Sequence, residues 1–345
     1  MNLISRYRNC IYGASILWVV IFHGWAITGV DYTFGIGFLH PLQSLIAAGG
    51  VGVDVFLLLS GVSLYFSFQK DSDLYRYMKK RILRVFPAII LIDGLYWFFR
   101  YALLNGDAIG FFSRITLLRF WLTGDQGVYF VSLIMVLYFV YPYFYAYLFV
   151  QGPNGNSFVR LVILLALEFA LIQMIYLVSP KWYSMTEIAL TRIPVFTIGC
   201  WLGRGVYEGR QIGRGWWIAA IASSLLFLIV LDADILHGMQ RRYLFILGGI
   251  GFAFTLGLLF YAIDEVRRCR VGGMIVRGAS YLGSISLELY LSHIMVIQVL
   301  QLSPYYIKGD LFQYVIVASL AVAIAWFAKR ISKRLIDWAN HRARA

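Results

Sequence analysis

The chain has 345 residues, of which 61% are hydrophobic and only 14% charged, with a net charge of +13. A soluble domain carries roughly 25% charged residues, so this composition excludes a soluble globular protein and requires an outer surface that faces lipid. The positive charge is accounted for by membrane topology and anionic headgroups, and it calls for no nucleic-acid partner.

A membrane-spanning helix takes about 20 mostly apolar residues. Stretches of that character are predicted near residues 10–30, 42–68, 86–104, 128–149, 158–178, 187–203, 215–231, 242–263, 281–302 and 311–328. The expected architecture is all-α, a polytopic transmembrane helical bundle of about ten spans. The first apolar run has no small-residue cleavage site behind it and reads as an uncleaved signal anchor. The second opens on Gly and Ala, and the sixth carries Arg192 and Pro194. Residues 69–85, between the second and third spans, form a strongly basic segment of helical pattern. The stretch 109–121 is too short and too charged to span and reads as an interfacial helix. No linker or low-complexity run divides the chain, which reads as one membrane domain over 1–345 without an appended soluble domain.

Alternate connecting segments are basic. They hold Arg6 and Arg8; Lys70, Arg76, Lys79, Lys80, Arg81 and Arg84; Arg160, Arg204, Arg210 and Arg214; Arg267, Arg268, Arg270 and Arg277; and Lys329, Arg330, Lys333, Arg334, Arg342 and Arg344. That is about 22 of the 30 Lys and Arg, and cytoplasmic loops are the basic ones, so both termini are expected in the cytoplasm. Cys10, Cys200 and Cys269 show neither a disulfide framework nor C-x-x-C spacing, and no metal is expected.

An ionisable residue within a span costs several kcal/mol unless it is paired or hydrated, which makes each a functional candidate. His23, Asp54, Asp93, Glu168, Glu288 and His293 are of this kind, with Arg192 near a span end. At 1.5 Å of rise per residue, His23, Asp54 and His293 lie roughly 10, 18 and 14 Å below the outer ends of their spans, and Glu288 lies lower. The first three therefore fit one layer in the outer half of the bilayer. His23 suits a general base and equally a buried histidine bonded to a neighbouring helix. Asp54 suits a carboxylate that orients a histidinium and equally an ion pair with an arginine. Asp93 and Glu168 read as structural, with proton relay as the alternative. The run GGVGVDVFLLLSG over 49–61 permits close helix packing or a turn beside a ligand. Arg81 and Arg84 share one helical face three residues apart. Such a pair suits a polyphosphate or is part of the positive-inside bias.

Together these segments resemble the membrane-bound acyltransferase family 3, the bacterial O-acyltransferases. LWVVIFHG ending on His23 and its glycine is similar to that family's opening helix. GVDVFLLLSG (52–61) resembles its second-span signature, and KRILRVFP (80–87) its R-x-x-R motif. YFVSLIMVLYFVYP (129–142), RIPVFTIGCWLG (192–203) and GSISLELYLSH (283–293) follow in family order. The resemblance covers roughly residues 8–330. Two positions depart from the pattern. Tyr12 stands where many members have Arg, eleven residues before the histidine, and Val128 stands where a tryptophan is common.

The resemblance implies an acyltransferase of the bacterial cytoplasmic membrane that binds no resident cofactor. Its implied donor substrate is acyl-CoA, with acetyl-CoA expected, bound from the cytoplasm by Arg81 and Arg84. His23 would deprotonate a hydroxyl of a glycan or lipid-linked saccharide, with Asp54 holding the imidazole. His293, Glu288 and Arg192 would contact the acceptor, His293 also suiting the oxyanion. A transporter or flippase of lipid-linked saccharides is the alternative from another class, although no internal repeat supports it. A glycan polymerase would call for a larger outer loop than residues 105–127.

Overall fold

The computed structural model describes residues 2–150, 156–265 and 270–342. Arg267, Arg268, Cys269 and Arg344 lie outside the described residues. The described residues form helices and no strands. Among the described residues, eight helices are long and apolar enough to cross a membrane: Arg8–Ala26, Pro41–Lys70, Leu74–Leu104, Tyr129–Val150, Ser157–Val178, Arg214–Asp232, Gly238–Glu265 and Leu311–Asp337. Val271–Ser284 and Ser286–Gln301 pass the same test together, bent by 73° at Ile285, and count as a ninth where the bent pair is taken as one span. The helix Ser157–Val178 shows how such a helix meets lipid: Leu167, Leu171, Met174 and Val178 are exposed, while Glu168 and Ile172 are buried.

The sixth predicted span is not one helix. Pro180–Leu190 ends at Thr191, and Ile193–Tyr207 begins after Arg192 with Pro194 in its first turn. Proline lacks the N–H that a helix interior would use but suits a first turn, where that donor has no partner, so a new helix starts here and the segment divides at Thr191 and Arg192. The predicted interfacial helix is likewise two short helices, Ala108–Ile115 and Leu118–Thr123. Leu117 between them adopts φ +64. The buried Arg114 in this region donates to Asp125 at 3.0 Å and lies 3.6 Å over the Tyr101 ring.

The basic segment 69–85 is mostly the first half of the third long helix. Lys70 ends one helix, Leu74 starts the next, and the Asp73 carboxylate caps it by accepting from the Arg76 backbone N–H at 2.7 Å. Asp71 pairs with both Arg76 and Lys80 at 3.1 Å. Hydrogen bonds from these two cations hold its carboxyl down at about 2.

Close helix packing rests on glycine. A Cβ at Gly52 would lie 2.7 Å from the Ser15 carbonyl oxygen, and one at Gly49 would lie 2.5 Å from the Phe22 Cβ. The glycine-rich run thus serves tight packing at these two positions. Closer still, a Cβ at Gly283 would lie 1.8 Å from the Asn9 carbonyl oxygen, and one at Gly13 1.8 Å from that of Ala279. Backbone cannot yield as a flexible side chain can. Gly283→Ala is therefore expected to push the first helix and Arg270–Ser284 apart, at about 1–3 kcal/mol. Thermal unfolding in detergent would measure this, and an unchanged midpoint would refute it.

Candidate active site

Two cavities of about 460 Å³ each enter the bundle toward opposite ends of the first helix. Arg8, Lys80, Arg81 and Arg84 line the first, together with Tyr12, Ser60, Tyr138 and the Gly283–Ser284 bend. The guanidinium of Arg81 lies over the rings of Tyr77 and Tyr138, at 5.4 and 5.5 Å. Asp71 neutralises Arg76 and Lys80. Among the described residues no carboxylate lies within ion-pairing distance of Arg81 or Arg84. The pair singled out by spacing thus differs from Arg76 and Lys80, whose charge Asp71 takes up. Tyr12 stacks on Phe56 at 5.2 Å. Arg8, one helical turn before Tyr12, brings a further positive charge to the same wall. The sequence shows Arg6 and Arg8 as the basic residues nearest to Tyr12, and the structure brings Arg8 to the cavity wall.

His23 lines the second cavity. Its Nδ1 lies 2.8 Å from Nε2 of His293, with the two rings nearly parallel at 18°. Nδ1 of His293 lies 2.8 Å from the carbonyl oxygen of Leu289. A carbonyl oxygen only accepts, so His293 Nδ1 carries the proton and donates it to Leu289. In a neutral His293 the Nε2 is then the acceptor, and His23 Nδ1–H donates to it. This chain leaves Nε2 of His23 as a lone pair. His293 uses both ring nitrogens in the chain, is 1% exposed and does not line the cavity. The structure thus places it behind His23, bonded to that ring, and away from the cavity surface where an acceptor or oxyanion contact was expected.

Asp54 does not hold His23. Its carboxylate accepts from Arg192 Nε, at 3.2 Å to each oxygen. Arg192 also donates to the Tyr129 hydroxyl and, from Nη2, to the Gly50 carbonyl oxygen at 3.2 Å. The reason is angular. Gly52 faces the first helix, and two residues further along a helix is about 200° of turn, so Asp54 points away from His23. The ion pair with an arginine, one of the two readings the sequence leaves open for Asp54, is the one the structure supplies. Arg192 lines the second cavity beside this pair.

Glu288 is likewise turned from both cavities. It is 1% exposed and accepts from Lys329 Nζ at 3.1 Å, a contact that joins two helices. Glu168 accepts from the Thr197 hydroxyl at 2.6 Å, a packing role. Asp93 lines a small polar chamber with Arg114, Asp125 and Ser132. Sequence reading missed Asp264, a buried carboxylate that accepts from Arg6 at 3.0 Å and from the Tyr7 hydroxyl at 2.7 Å. Tyr129 and Tyr290 lie inside the family-like segments 129–142 and 283–293, but nothing there separates their rings and hydroxyls from the other aromatic residues.

No curated protein and no solved structure matches this chain. The sequence profile of acyltransferase family 3, described as an acyltransferase domain, matches residues 9–330 and so covers nearly the whole chain. Apart from Arg8, the residues lining the two cavities lie within that match. The chain belongs to acyltransferase family 3 and is a multi-pass membrane acyltransferase.

Proposed function

We propose that the protein transfers an acyl group, with acetyl expected, from acyl-CoA to a hydroxyl of a cell-envelope glycan or lipid-linked saccharide in the bacterial cytoplasmic membrane. The observation that carries this reading is the pairing of the two cavities, one lined by unneutralised arginines and the other by an imidazole with a free Nε2. Arg81 and Arg84, with Arg8 opposite, take the phosphates of the donor, because guanidinium forks match phosphate oxygens. Gly283, Ser284 and Ser286 bring the N-terminal end of the helix Ser286–Gln301 to the same wall, where backbone N–H groups favour anions. Tyr12 and His23 are about 16 Å apart along the first helix, on the scale of an extended pantetheine arm, on the order of 15–20 Å.

In the transfer, His23 Nε2 takes the hydroxyl proton as the acceptor oxygen attacks the thioester carbonyl. The C–S bond then breaks, and the imidazolium returns the proton to the thiolate. His293 and the Leu289 carbonyl keep the ring in the tautomer this step needs. Gln126, Gln298 and Gln301 beside Phe22 and Phe245 offer amides to sugar hydroxyls and ring faces to a pyranose.

Membranes containing the protein, supplied with acetyl-CoA, should release thiol and label a glycan that mass spectrometry then identifies. A folded protein that releases no thiol from any acyl-CoA would end this reading in favour of saccharide transport. Arg81→Ala with Arg84→Ala should raise KM for acyl-CoA roughly a hundredfold, from the loss of two charge-assisted contacts, with kcat largely kept. An unchanged KM would move the donor site elsewhere.

A further inference from the structure

The two cavities share part of their walls. Among the described residues lining them, Tyr290 alone faces both. It is 4% exposed and stands one helical turn before His293. Its ring meets Phe130 edge-on at 5.2 Å and His293 edge-on at 5.7 Å. Phe130 lies 5.9 Å from Phe56, which carries the stack with Tyr12. A row of rings therefore runs from the basic wall to the imidazole pair, and Tyr290 stands at its crossing point. A donor arm advancing from Arg81 and Arg84 meets Tyr290 before it meets His23.

We propose that Tyr290 is the partition between donor and acceptor cavities, which the thioester must displace to reach His23, and that its bulk restricts transfer to short acyl chains. This rests on the reading that acyl-CoA enters through the basic cavity. Two consequences follow from one ring. An acyl chain delivered past Tyr290 lies against that ring and against Val53, Ile294 and Ile297 in the far wall. Each extra methylene then needs space the ring fills, and one methylene in such a pocket discriminates by roughly ten- to two-hundredfold. The closed ring also keeps water of the acceptor cavity from the thioester. Removing it lets water attack the carbonyl, with the C–S bond breaking to give the free acid and the thiol.

The test uses membranes containing the full chain, supplied with labelled acyl-CoA of two, four, six or eight carbons, with thiol release and label transfer measured separately. Tyr290→Ala is expected to raise the rate for six- and eight-carbon donors relative to the two-carbon donor by at least about tenfold. It is also expected to release thiol in excess of label transferred. Tyr290→Phe retains the ring and should keep the wild-type ratios. Tyr290→Leu gives the same comparison if the alanine variant does not fold. A variant lacking the ring that keeps both wild-type ratios would overturn the partition. Wild-type protein that turns over no acyl-CoA would instead overturn the donor reading on which it rests.

Discussion

His23→Ala should lower acyl transfer by about a hundred- to ten-thousandfold, the range a positioned general base supplies, while the protein still inserts and folds. His23 is half-buried at a cavity wall, and its one ring contact through nitrogen is to His293. Truncating it removes the base and leaves His293 Nε2 beside new space that water can fill, so folding is little affected. His293→Ala should be the more informative companion. It leaves the His23 ring in place but removes the acceptor that holds its proton on Nδ1, so the free lone pair is no longer fixed on Nε2. The expected result is a large fall in kcat with little change in KM for the acyl-CoA, because the basic cavity is untouched. His293→Gln, whose amide oxygen can accept from Nδ1–H, should recover part of the loss. Full activity in His23→Ala would sink the mechanism. A His293→Ala variant that changed only KM would return His293 to the substrate-contacting role.

Arg192→Met should cost about 3–5 kcal/mol of stability, the range for breaking one side of a buried ion pair. Asp54 is 0% and Arg192 5% exposed. Without the guanidinium, a carboxylate is left in the bundle with no counter-charge, and the Tyr129 hydroxyl and Gly50 carbonyl each lose a donor. Asp54→Asn should be damaging too, since it strands the cation. The double variant Asp54→Asn with Arg192→Met should be less destabilised than the two single losses summed, because neither charge is then left alone. The unfolding midpoint and the yield of monodisperse protein in detergent would report this. If Arg192→Met keeps the wild-type midpoint, the pair is dispensable to the fold, and its place beside the second cavity has to be explained through the acceptor.

Much of this fold was legible because lipid imposes its own length and composition on a helix. The apolar runs gave nearly every long helix, and the ionisable residues stood out as the few groups lipid does not tolerate. The rise per residue puts His23 and His293 at similar heights, and the two rings do meet, at 2.8 Å. Direction around the helix was not legible. His23, Asp54 and His293 were placed in one layer, yet which of them touch depends on which face each helix turns to its neighbour. Gly52 decides that for Asp54, and the contact of Gly52 with Ser15 belongs to packing between two helices rather than to either sequence. The division of the sixth span was visible in Arg192 and Pro194, but the partner that draws Arg192 inward lies 138 residues away. Glu288 shows the same limit: its motif was visible, while Lys329 on another helix determines what it does.

The bend at Ile285 has a mechanical consequence. Before it, Arg270–Ser284 is fixed to the first helix by backbone contacts that leave no room for a side chain. After it, Tyr290 and His293 ride on one rigid arm, three residues apart. Any swing of that arm moves both together, so an opening made by swinging would also pull His293 from His23. The arm must therefore stay still while the Tyr290 ring turns about its own side-chain bonds. Passage of the thioester and readiness of the base are then compatible only because they use different degrees of freedom, a rotating ring on an unmoving lever.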